Sequence, residues 1–398
     1  MTREKEDRIV SGRQQLIKEL NRNLLIKLVV RYGQIGRAEL AKLTGLSLPS
    51  VMRITEGLLA DGLLREIGKG VSSGGRKPAL LTLKNDAWYS VGVEIALKTT
   101  VVLADLAGNI LDRWDSGELA ETAPEQMLEN IDAVIWALLE THRIPMDRFA
   151  GIGIGTPGSN FKHLHAMELS ILRGWEQTDV RGWFEARRRG AGYRILTENV
   201  ARTRTLNELW FGLGRQYKSF LYVFADQGVG SCFVSGETLQ TGQNGVAGEF
   251  GHTVIRPGGR PCYCGNAGCM EMYVSAGAIT REARRLMAPA EGKLTFSQVL
   301  AASDRPEIRA VLEEAGVTLG YGLANLINLF NPRAVILGGE VPKASALVAE
   351  MAMATAREAI FSRSAAETPV AVSTIPKAKD CLGSVALVIN DLFKSVEI

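Results

Sequence analysis

The chain has 398 residues, of which 46% are hydrophobic and 22% are charged. This composition excludes a disordered chain, a collagen-like repeat and a continuous coiled coil, and the length predicts two or three domains. No apolar run reaches the roughly 18–20 residues that span a bilayer, and the N-terminal MTREKEDRIVSGRQQ lacks the apolar core of a secretory signal. We therefore expect no membrane insertion and a cytoplasmic location, where cysteines are more often metal ligands or buried thiols than disulfides.

Charge is distributed unevenly along the chain. Residues 1–85 carry 16 Lys and Arg against 8 Asp and Glu, whereas the remainder carries 30 against 35. A basic segment attached to a mildly acidic body favours a nucleic-acid-binding module at the N-terminus. On charge alone, a chance surface excess on a small domain explains the numbers equally well, so the decision depends on motifs.

The N-terminal segment has the pattern of a winged helix-turn-helix. Apolar residues follow helical spacing over 16–29, and the next predicted helix ends at Gly45, which can adopt the left-handed conformation. Ser47 and Pro49 then predict the start of a third helix. A helix, a glycine turn and a capped helix together indicate DNA binding, with a small protein-interaction module as the alternative.

The N-terminal end of the third helix would enter the major groove, where Arg53 could read a guanine edge or hold a phosphate. Two short strands follow, separated by a glycine-rich basic loop over 69–78, and together they form the predicted wing. The residues expected to face DNA are Ser47, Leu48, Ser50, Met52 and Arg53 on the helix and Arg76 and Lys77 in the wing.

The rest of the chain predicts an α/β fold with two lobes, because β-strand patterns are separated by helical segments such as 124–141. The expected strands cover 89–95, 100–105, 149–154, 193–197, 219–224 and 334–337. A glycine-rich turn follows the strand at 149–154. It lacks the helix and acidic partner of a dinucleotide site, so a tight turn and a ligand loop are equally compatible with it.

The clearest chemical signal is one histidine and three cysteines at metal-ligand spacing. His252 precedes Cys262, Cys264 and Cys269, and thiolates with an imidazole suit tetrahedral zinc. Four protein ligands leave no open position for a substrate, so we expect a structural rather than a catalytic zinc site. Free thiols in a reducing cytosol are the alternative.

Several motifs resemble those of the ROK (repressor, open reading frame, kinase) family of sugar kinases and sugar-responsive repressors. The body contains a glycine-rich strand and turn over 151–158, and the signature Glu-Phe-Gly-His (249–252) followed by Cys-x-Cys-Gly-x-x-Gly-Cys-x-Glu (262–271). Three N-terminal motifs resemble the repressor branch. They are Ile-Lys-x-x-Asn (17–21), Arg-x-x-Leu-Ala (37–41) and Gly-Gly-Arg-Lys-Pro (74–78).

The resemblance covers nearly the whole chain. It implies an actin-like, two-lobed sugar-kinase fold over 87–398, with a zinc loop at about 249–271, preceded by a winged helix-turn-helix domain over 1–86. It also implies an effector site that retains the family's sugar contacts. The effector residues implied are Gly158, Asn199, Glu249, His252 and Glu271.

Three positions depart from the pattern of the family's active kinases. The resemblance places a catalytic aspartate, which takes the proton from the sugar hydroxyl, where this chain has Val200. Leu97 replaces a glycine of the first ATP phosphate loop. The second phosphate loop begins with Asp226 and Gln227, and the Asp226 charge would repel phosphate. A cleft that retains the residues for sugar binding but lacks those for phosphoryl transfer indicates a sensor.

We therefore predict a sugar-responsive transcriptional regulator, a repressor of carbohydrate uptake or catabolism genes, and not an enzyme. The expected partners are operator DNA, a sugar or sugar phosphate, and further copies in a homodimer or dimer of dimers. Closure of the lobes on the sugar would change the spacing of the winged helices. Two alternatives stay open: an active ROK sugar kinase with an extra N-terminal domain, and a repressor controlled by a sugar-transport protein partner.

Overall fold

The computed structural model describes residues 3–69, 79–96, 98–117, 123–160, 167–168, 174–175, 178–188, 192–287 and 294–393. The chain forms two compact units. The first contains Met1–Gly155, Arg181–Glu198 and Cys381–Ile398, and the second contains Thr156–Val180 and Asn199–Asp380. Within the described ranges, no helix is long and apolar enough to cross a membrane. The predicted domain boundary at residue 86 falls inside the first unit and stays a prediction.

Three helices and a three-stranded sheet form the N-terminal part of the first unit. They are α1 (Arg3–Tyr32), β1 (Ile35–Gly36), α2 (Arg37–Thr44), α3 (Leu48–Ala60), β2 (Leu64–Lys69) and β3 (Ala79–Leu83), with strand order β1-β3-β2. The caps confirm two predicted helix ends. Gly45 closes α2 in the left-handed conformation, and the Ser47 side chain accepts the Ser50 N–H at the start of α3.

The first helix differs from the prediction in its extent and in its buried face. It extends further towards the N-terminus than the apolar pattern does. The buried face contains Leu25, Ile26 and Val29. Ile17 and Leu24, which belong to the predicted apolar face, are 55% and 40% exposed. The helical period fixes which residues share a face, but it does not say how much of that face the rest of the protein covers.

The first unit continues with a five-stranded mixed sheet and its helices. The elements are β4 (Tyr89–Glu94), β5 (Thr100–Asp105), β6 (Ile110–Asp115), α4 (Pro124–Thr141), β7 (Phe149–Thr156), α5 (Val180–Ala186), β10 (Arg194–Asn199) and α14 (Leu382–Leu392). The strand order is β10-β7-β4-β5-β6. β5 pairs antiparallel with β4 and β6, and β4 pairs parallel with β7. The strands β4, β5, β7 and β10 and the helix α4 agree with the predicted bounds to within two residues, whereas no bounds were predicted for β6.

Helix α14 packs closely on this sheet because glycine leaves room for its backbone. A Cβ atom on Gly153 of β7 would lie 1.9 Å from the Ser384 carbonyl oxygen, so the position requires glycine. The Ser384 hydroxyl donates to the Val93 carbonyl at 2.8 Å. Close packing of α14 therefore explains the glycine at position 153 within the strand, and it does not bear on the turn that follows.

The second unit contains another five-stranded sheet with helices around it. Its elements are β8 (Ser159–Asn160), β9 (Met167–Glu168), α6 (Val200–Phe211), β11 (Phe220–Ala225), β12 (Val229–Ser235), β13 (Thr238–Leu239), α7 (Glu271–Val274), α8 (Ala276–Met287), α9 (Phe296–Ala301), α10 (Pro306–Phe330), β14 (Val335–Gly338), α11 (Glu340–Ala344), α12 (Ala346–Ala359), α13 (Arg363–Ala366) and β15 (Val370–Val372). The strand order is β13-β12-β11-β14-β15. The strand β11 pairs antiparallel with β12 and parallel with β14.

The core of the second unit lies between this sheet and the helices α8, α10 and α12. Leu319, Leu323 and Ile327 of α10 are buried in the same apolar cluster as Leu221 of β11 and Leu337 of β14. The sequence predicted β11 and β14 but missed β12 and β15. Gly230 near the start of β12 interrupts its alternating pattern of apolar residues. The strand β15 has three residues, which are too few to show a periodicity.

Candidate functional site

His252, Cys262, Cys264 and Cys269 form one group in the second unit. Their ligand atoms all lie within 4.8 Å of one another. The Cys262 sulfur lies 3.6 Å from His252 Nδ1, and the sulfurs of Cys264 and Cys269 lie 3.7 Å apart. The structure therefore brings together the four residues that the spacing predicted as ligands, in an arrangement that could hold a metal ion.

Backbone contacts shape the segment that carries these ligands. A short 3-10 helix ends at His252 and places its imidazole. Val254 pairs with Cys269 across the loop, which brings the last cysteine back beside the histidine. The Gly265 N–H donates to the Cys262 carbonyl at 3.1 Å and closes a tight turn around the first two cysteines. These local contacts act together with hydrogen bonds from Arg256 and Arg260 of the same loop to Glu314 of α10.

The thiols differ in how readily they lose their protons. Burial raises the pKa of Cys269 to about 12 and also raises the pKa of Cys262. Burial acts in the same direction on Cys264, but hydrogen bonds, first that of the Asn266 N–H, lower its pKa overall. Thiolates are the metal-binding form, so a bound cation would displace the protons of Cys262 and Cys269 at neutral pH.

A group of polar side chains lies beside the four candidate metal ligands, which we call the metal-binding group. Tyr263 Oη lies 3.2 Å from His252 Nε2, the ring nitrogen that does not face Cys262. Glu271 is 4% exposed, and its Oε2 accepts the Val229 N–H at 2.9 Å. Burial raises the pKa of Glu271. Tyr263 is therefore a hydrogen-bond partner of one predicted effector residue, His252.

Tyr263 is a residue of this site that the sequence prediction missed. Its place between the two cysteines of the Cys-x-Cys motif was the signal that could have identified it. Glu249, which was predicted, is exposed and directly precedes the 3-10 helix that ends at His252. Besides burial, the charge of Glu249 raises the pKa of Glu271 and of Tyr263, so the three groups are close enough to interact.

Asn199 and Gly158, two further predicted effector residues, contact each other. Asn199 Nδ2 donates to the Gly158 carbonyl at 2.6 Å, and its Oδ1 accepts the Ala201 N–H at 2.7 Å as the N-cap of α6. The amide thus ties the Gly158 turn, where φ is +86°, to the start of α6.

In the segment over 226–230, which resembles a phosphate loop, three backbone N–H groups already donate to acceptors within the protein. The N–H groups of Asp226, Gln227 and Val229 donate to the Gly228 carbonyl, Asp226 Oδ1 and Glu271 Oε2 at 2.8, 3.0 and 2.9 Å. Phosphate loops bind anions through backbone N–H groups that point at the ligand. Three such groups are already occupied in this segment.

An ion pair changes the expected role of Asp226. The sequence predicted that its charge repels phosphate, but Arg204 Nη1 lies 3.0 Å from Asp226 Oδ2. Both side chains are largely buried, at 11% and 15% exposure, so the pair offsets much of the negative charge. The occupied N–H groups therefore disfavour phosphate more than the charge does. Leu97 of the first predicted phosphate loop lies outside the described residues.

Exposed side chains gather at the N-terminal end of α3. Leu48 and Met52 are 45% and 43% exposed, and Arg53 is exposed beside them. The hydroxyls of Ser47 and Ser50 lie 2.9 Å apart, and Ser47 also caps the helix. The five helix residues predicted to face DNA thus lie together at one end of α3.

Arg37 ties α2 to the elements that follow it. Its Nε donates to the Thr55 hydroxyl at 2.9 Å, and its Nη2 pairs with Glu66 at 2.7 Å. These contacts explain the arginine of the Arg-x-x-Leu-Ala motif through packing, because they fix α3 against α2 and β2. Arg76 and Lys77, the predicted wing residues, lie outside the described residues.

A model of the ROK family matches residues 90–391 of the chain. The xylose repressor of Bacillus subtilis (strain 168) is 28% identical over 382 residues, which cover 95% of this chain and 97% of that protein. The DNA-binding transcriptional dual regulator NagC of Escherichia coli (strain K12) is 26% identical over 348 residues, covering 84% and 83%. The crystal structure of a ROK family transcriptional regulator, a homolog of the E. coli MLC protein, aligns with a TM-score of 0.76 at 24% identity over 96% and 98% of the two chains. This last likeness confirms the predicted fold.

Substitution of one cysteine tests the metal-binding group. We expect Cys264→Ser to lower bound metal from one ion per chain to near zero, because a serine hydroxyl is a poor substitute for a thiolate ligand. Elemental analysis of the purified full-length protein measures this change. Cys232→Ala, which alters a buried cysteine outside the group, serves as the matched control and should leave metal content unchanged. Equal metal in both variants would contradict the ligand assignment.

Proposed function

This chain belongs to the ROK family, and we propose that it is a sugar-responsive, DNA-binding repressor of carbohydrate uptake or catabolism genes. One observation carries the proposal: the second unit keeps the residues matched to sugar contacts, while the N–H groups of its phosphate-loop segment are occupied. The names of two relatives, a xylose repressor and a DNA-binding transcriptional regulator, support the same class of function. The protein acts by binding and not by catalysis.

Two features oppose phosphoryl transfer. The reaction needs a base for the sugar hydroxyl and polar groups that hold the transferred phosphate in line. Val200, at the position matched to the base, has no titratable group. General-base catalysis contributes roughly 10²–10⁴-fold in rate, so its loss alone is severe. The occupied N–H groups over 226–230 add a second, independent defect.

The effector is a sugar or a sugar phosphate. Its hydroxyl groups donate to the carboxylates of Glu249 and Glu271, and Asn199 supplies an amide that can donate and accept hydrogen bonds. A site whose buried polar groups hydrogen-bond the hydroxyls of its ligand rejects ligands without hydroxyls, because the polar groups would be left unpaired. Pentoses are the first class to test, since one relative is named a xylose repressor.

The DNA-binding part is the N-terminal segment. The exposed end of α3 enters the major groove, and Arg53 is placed to contact a base edge or a phosphate. Two copies of the chain bind the two half-sites of a pseudo-palindromic operator. Effector binding changes the operator affinity, for which a coupling of about 1–3 kcal/mol is usual. A protein with this role works in the cytoplasm, where the operator is.

Zinc is the metal that fits the four-residue group. Three sulfurs and one imidazole nitrogen form a soft donor set, and four protein ligands complete a tetrahedron. Zinc bound there would supply folding energy and hold the loop over 254–269, and it would leave no open position for a substrate. The loop leads directly into α7, whose first residue is Glu271.

The central test is whether a sugar changes DNA binding. The full-length protein is incubated with a duplex selected from random DNA, and affinity is measured by fluorescence anisotropy against pentoses, hexoses and their phosphates. We expect one compound class to change the affinity by roughly 5–150-fold. Glu271→Gln should reduce this response while DNA binding without sugar stays the same. If no compound changes the DNA affinity but a sugar-transport protein does, the repressor is controlled by a protein partner and not by a sugar.

Arg53→Ala tests the DNA-reading end of α3. We expect operator affinity to fall by about 1–3 kcal/mol, the usual scale for one good base contact. Sugar binding, measured by calorimetry, should not change. Arg285→Ala removes the same charge from an exposed arginine of the second unit and is the matched control. Equal operator affinity in the two variants would show that Arg53 does not contact the operator.

Val200→Asp tests whether the missing base is the whole defect. We expect no sugar-dependent ATP consumption from the wild type or from this variant, because the N–H groups over 226–230 stay occupied. A coupled ATPase assay over the same sugar panel measures this. Turnover by the wild type would refute the repressor-only function. Turnover by the variant alone would show that the loop can still bind phosphate.

A further inference from the structure

Four side chains outside the metal-binding group join its loop to two helices. Arg256 and Arg260 lie in the loop, Tyr273 lies on α7 and Glu314 lies on α10. Each guanidinium group lies over the Tyr273 ring, with its carbon atom 4.5 Å from the ring centroid. The two groups also donate to the two carboxylate oxygens of Glu314. We call these four residues the arginine–tyrosine cluster.

The backbone of the loop follows this cluster closely. The Arg260 N–H donates to the Tyr273 hydroxyl at 2.9 Å, and a Cβ atom on Gly259 would lie 2.1 Å from the same hydroxyl. The Gly268 N–H donates to the Arg260 carbonyl at 2.8 Å, and the Gly268 carbonyl accepts the Arg256 N–H at 3.2 Å. The first part of the loop therefore holds the residue that precedes the last candidate metal ligand.

These contacts form a network rather than a set of isolated surface pairs. An isolated exposed ion pair contributes little stability, whereas charges that share partners contribute more. Arg260 donates to the Met272 carbonyl at 3.1 Å as well as to Glu314, and it lies 3.5 Å from an oxygen of Glu282 on α8. The Tyr273 ring is 4% exposed, so its contacts with the guanidinium groups are partly desolvated, which strengthens them. None of these contacts involves a candidate metal ligand.

Residues 262–266 form the other part of the loop. Two backbone hydrogen bonds close this part on itself, from the Cys262 N–H to the Asn266 carbonyl at 2.8 Å and from the Gly265 N–H to the Cys262 carbonyl at 3.1 Å. Cys262 and Cys264 lie here, so a bound ion would tie this part to the other two ligands. The two parts of the loop therefore depend on different interactions.

We propose that the arginine–tyrosine cluster is a second support for the loop over 254–269, one that acts without a metal ion. It holds residues 255–260 against α7 and α10 in the metal-free protein, whereas residues 262–266 depend on the metal. Tyr273 lies two residues after Glu271 on α7, so the cluster also fixes the helix that carries this carboxylate. The members of the cluster are therefore positioning residues for Glu271, whose role in sugar binding rests on the proposed function.

Hydrogen–deuterium exchange on the full-length protein tests the two supports. Wild type, Glu314→Gln and the control Glu313→Gln are compared when loaded with Zn²⁺ and after chelation. Glu313 neighbours Glu314 on α10 but pairs with Arg309, outside the cluster. In the wild type, we expect chelation to speed exchange over 262–266 and to leave 255–260 unchanged. Glu314→Gln should speed exchange over 255–260 by roughly 5–30-fold in both metal states, because a neutral amide is a poor acceptor for two guanidinium groups.

A second measurement separates the positioning of Glu271 from general stability. We expect Glu314→Gln to raise several-fold the sugar concentration that gives half of the change in operator affinity. Operator affinity without sugar and the bound zinc should stay at the wild-type level, whereas a general loss of stability would lower both. An unchanged sugar response in this variant would refute the positioning of Glu271.

Two exchange results would overturn the proposal. If chelation speeds exchange over 255–260 as much as over 262–266, the metal is the sole support of the loop. If Glu314→Gln exchanges like Glu313→Gln, the cluster does not hold the loop. Separate responses of the two parts in a protein that responds to no sugar would confirm the second support and contradict the proposed function.

Discussion

One hydrogen bond, from the Val229 N–H to the buried carboxylate of Glu271, joins the phosphate-loop segment to the helix that follows the metal-binding loop. Glu271 is 4% exposed, so its carboxylate would be costly to leave unpaired, and a hydrogen bond to a charged group contributes about 1.5–3 kcal/mol. The same bond removes the Val229 N–H from any phosphate. A single interaction thus stabilises the loop, orients a carboxylate of the proposed effector site and opposes nucleotide chemistry.

Features decided by neighbouring residues could be predicted from the sequence. The spacing of Cys262, Cys264 and Cys269 predicted the metal-binding group, because the turn between the cysteines is local. Gly45 and Ser47 predicted two helix ends, because a cap depends on the conformation and side chain of one residue. In each case the feature depends on residues that are close together in the sequence, so the sequence itself contains the information needed to predict it.

Features that depend on distant parts of the chain could not be predicted. Ser384 bonds to the Val93 carbonyl across 291 residues, and nothing in either segment indicates the other. Arg204 lies on α6, which begins directly after the predicted effector residue Asn199, and its ion pair with Asp226 changes the expected electrostatics of the loop. Tyr263 was missed for a different reason. Its position between two cysteines indicates only that it lies near the predicted ligands, and the structure is needed to place its hydroxyl 3.2 Å from His252 Nε2.

A change from catalysis to sensing needs few substitutions, because the two activities depend on the protein in different ways. Catalytic groups act as a unit, so the loss of one removes most of the rate, as at the position of Val200. In our proposal, sugar binding is the sum of several hydrogen bonds, and it survives while Glu249, Glu271 and Asn199 remain. In a kinase, part of the binding energy is used to reach the transition state. In the proposed sensor that energy is free to shift a conformational equilibrium, and a shift of a few kcal/mol is enough to change operator occupancy.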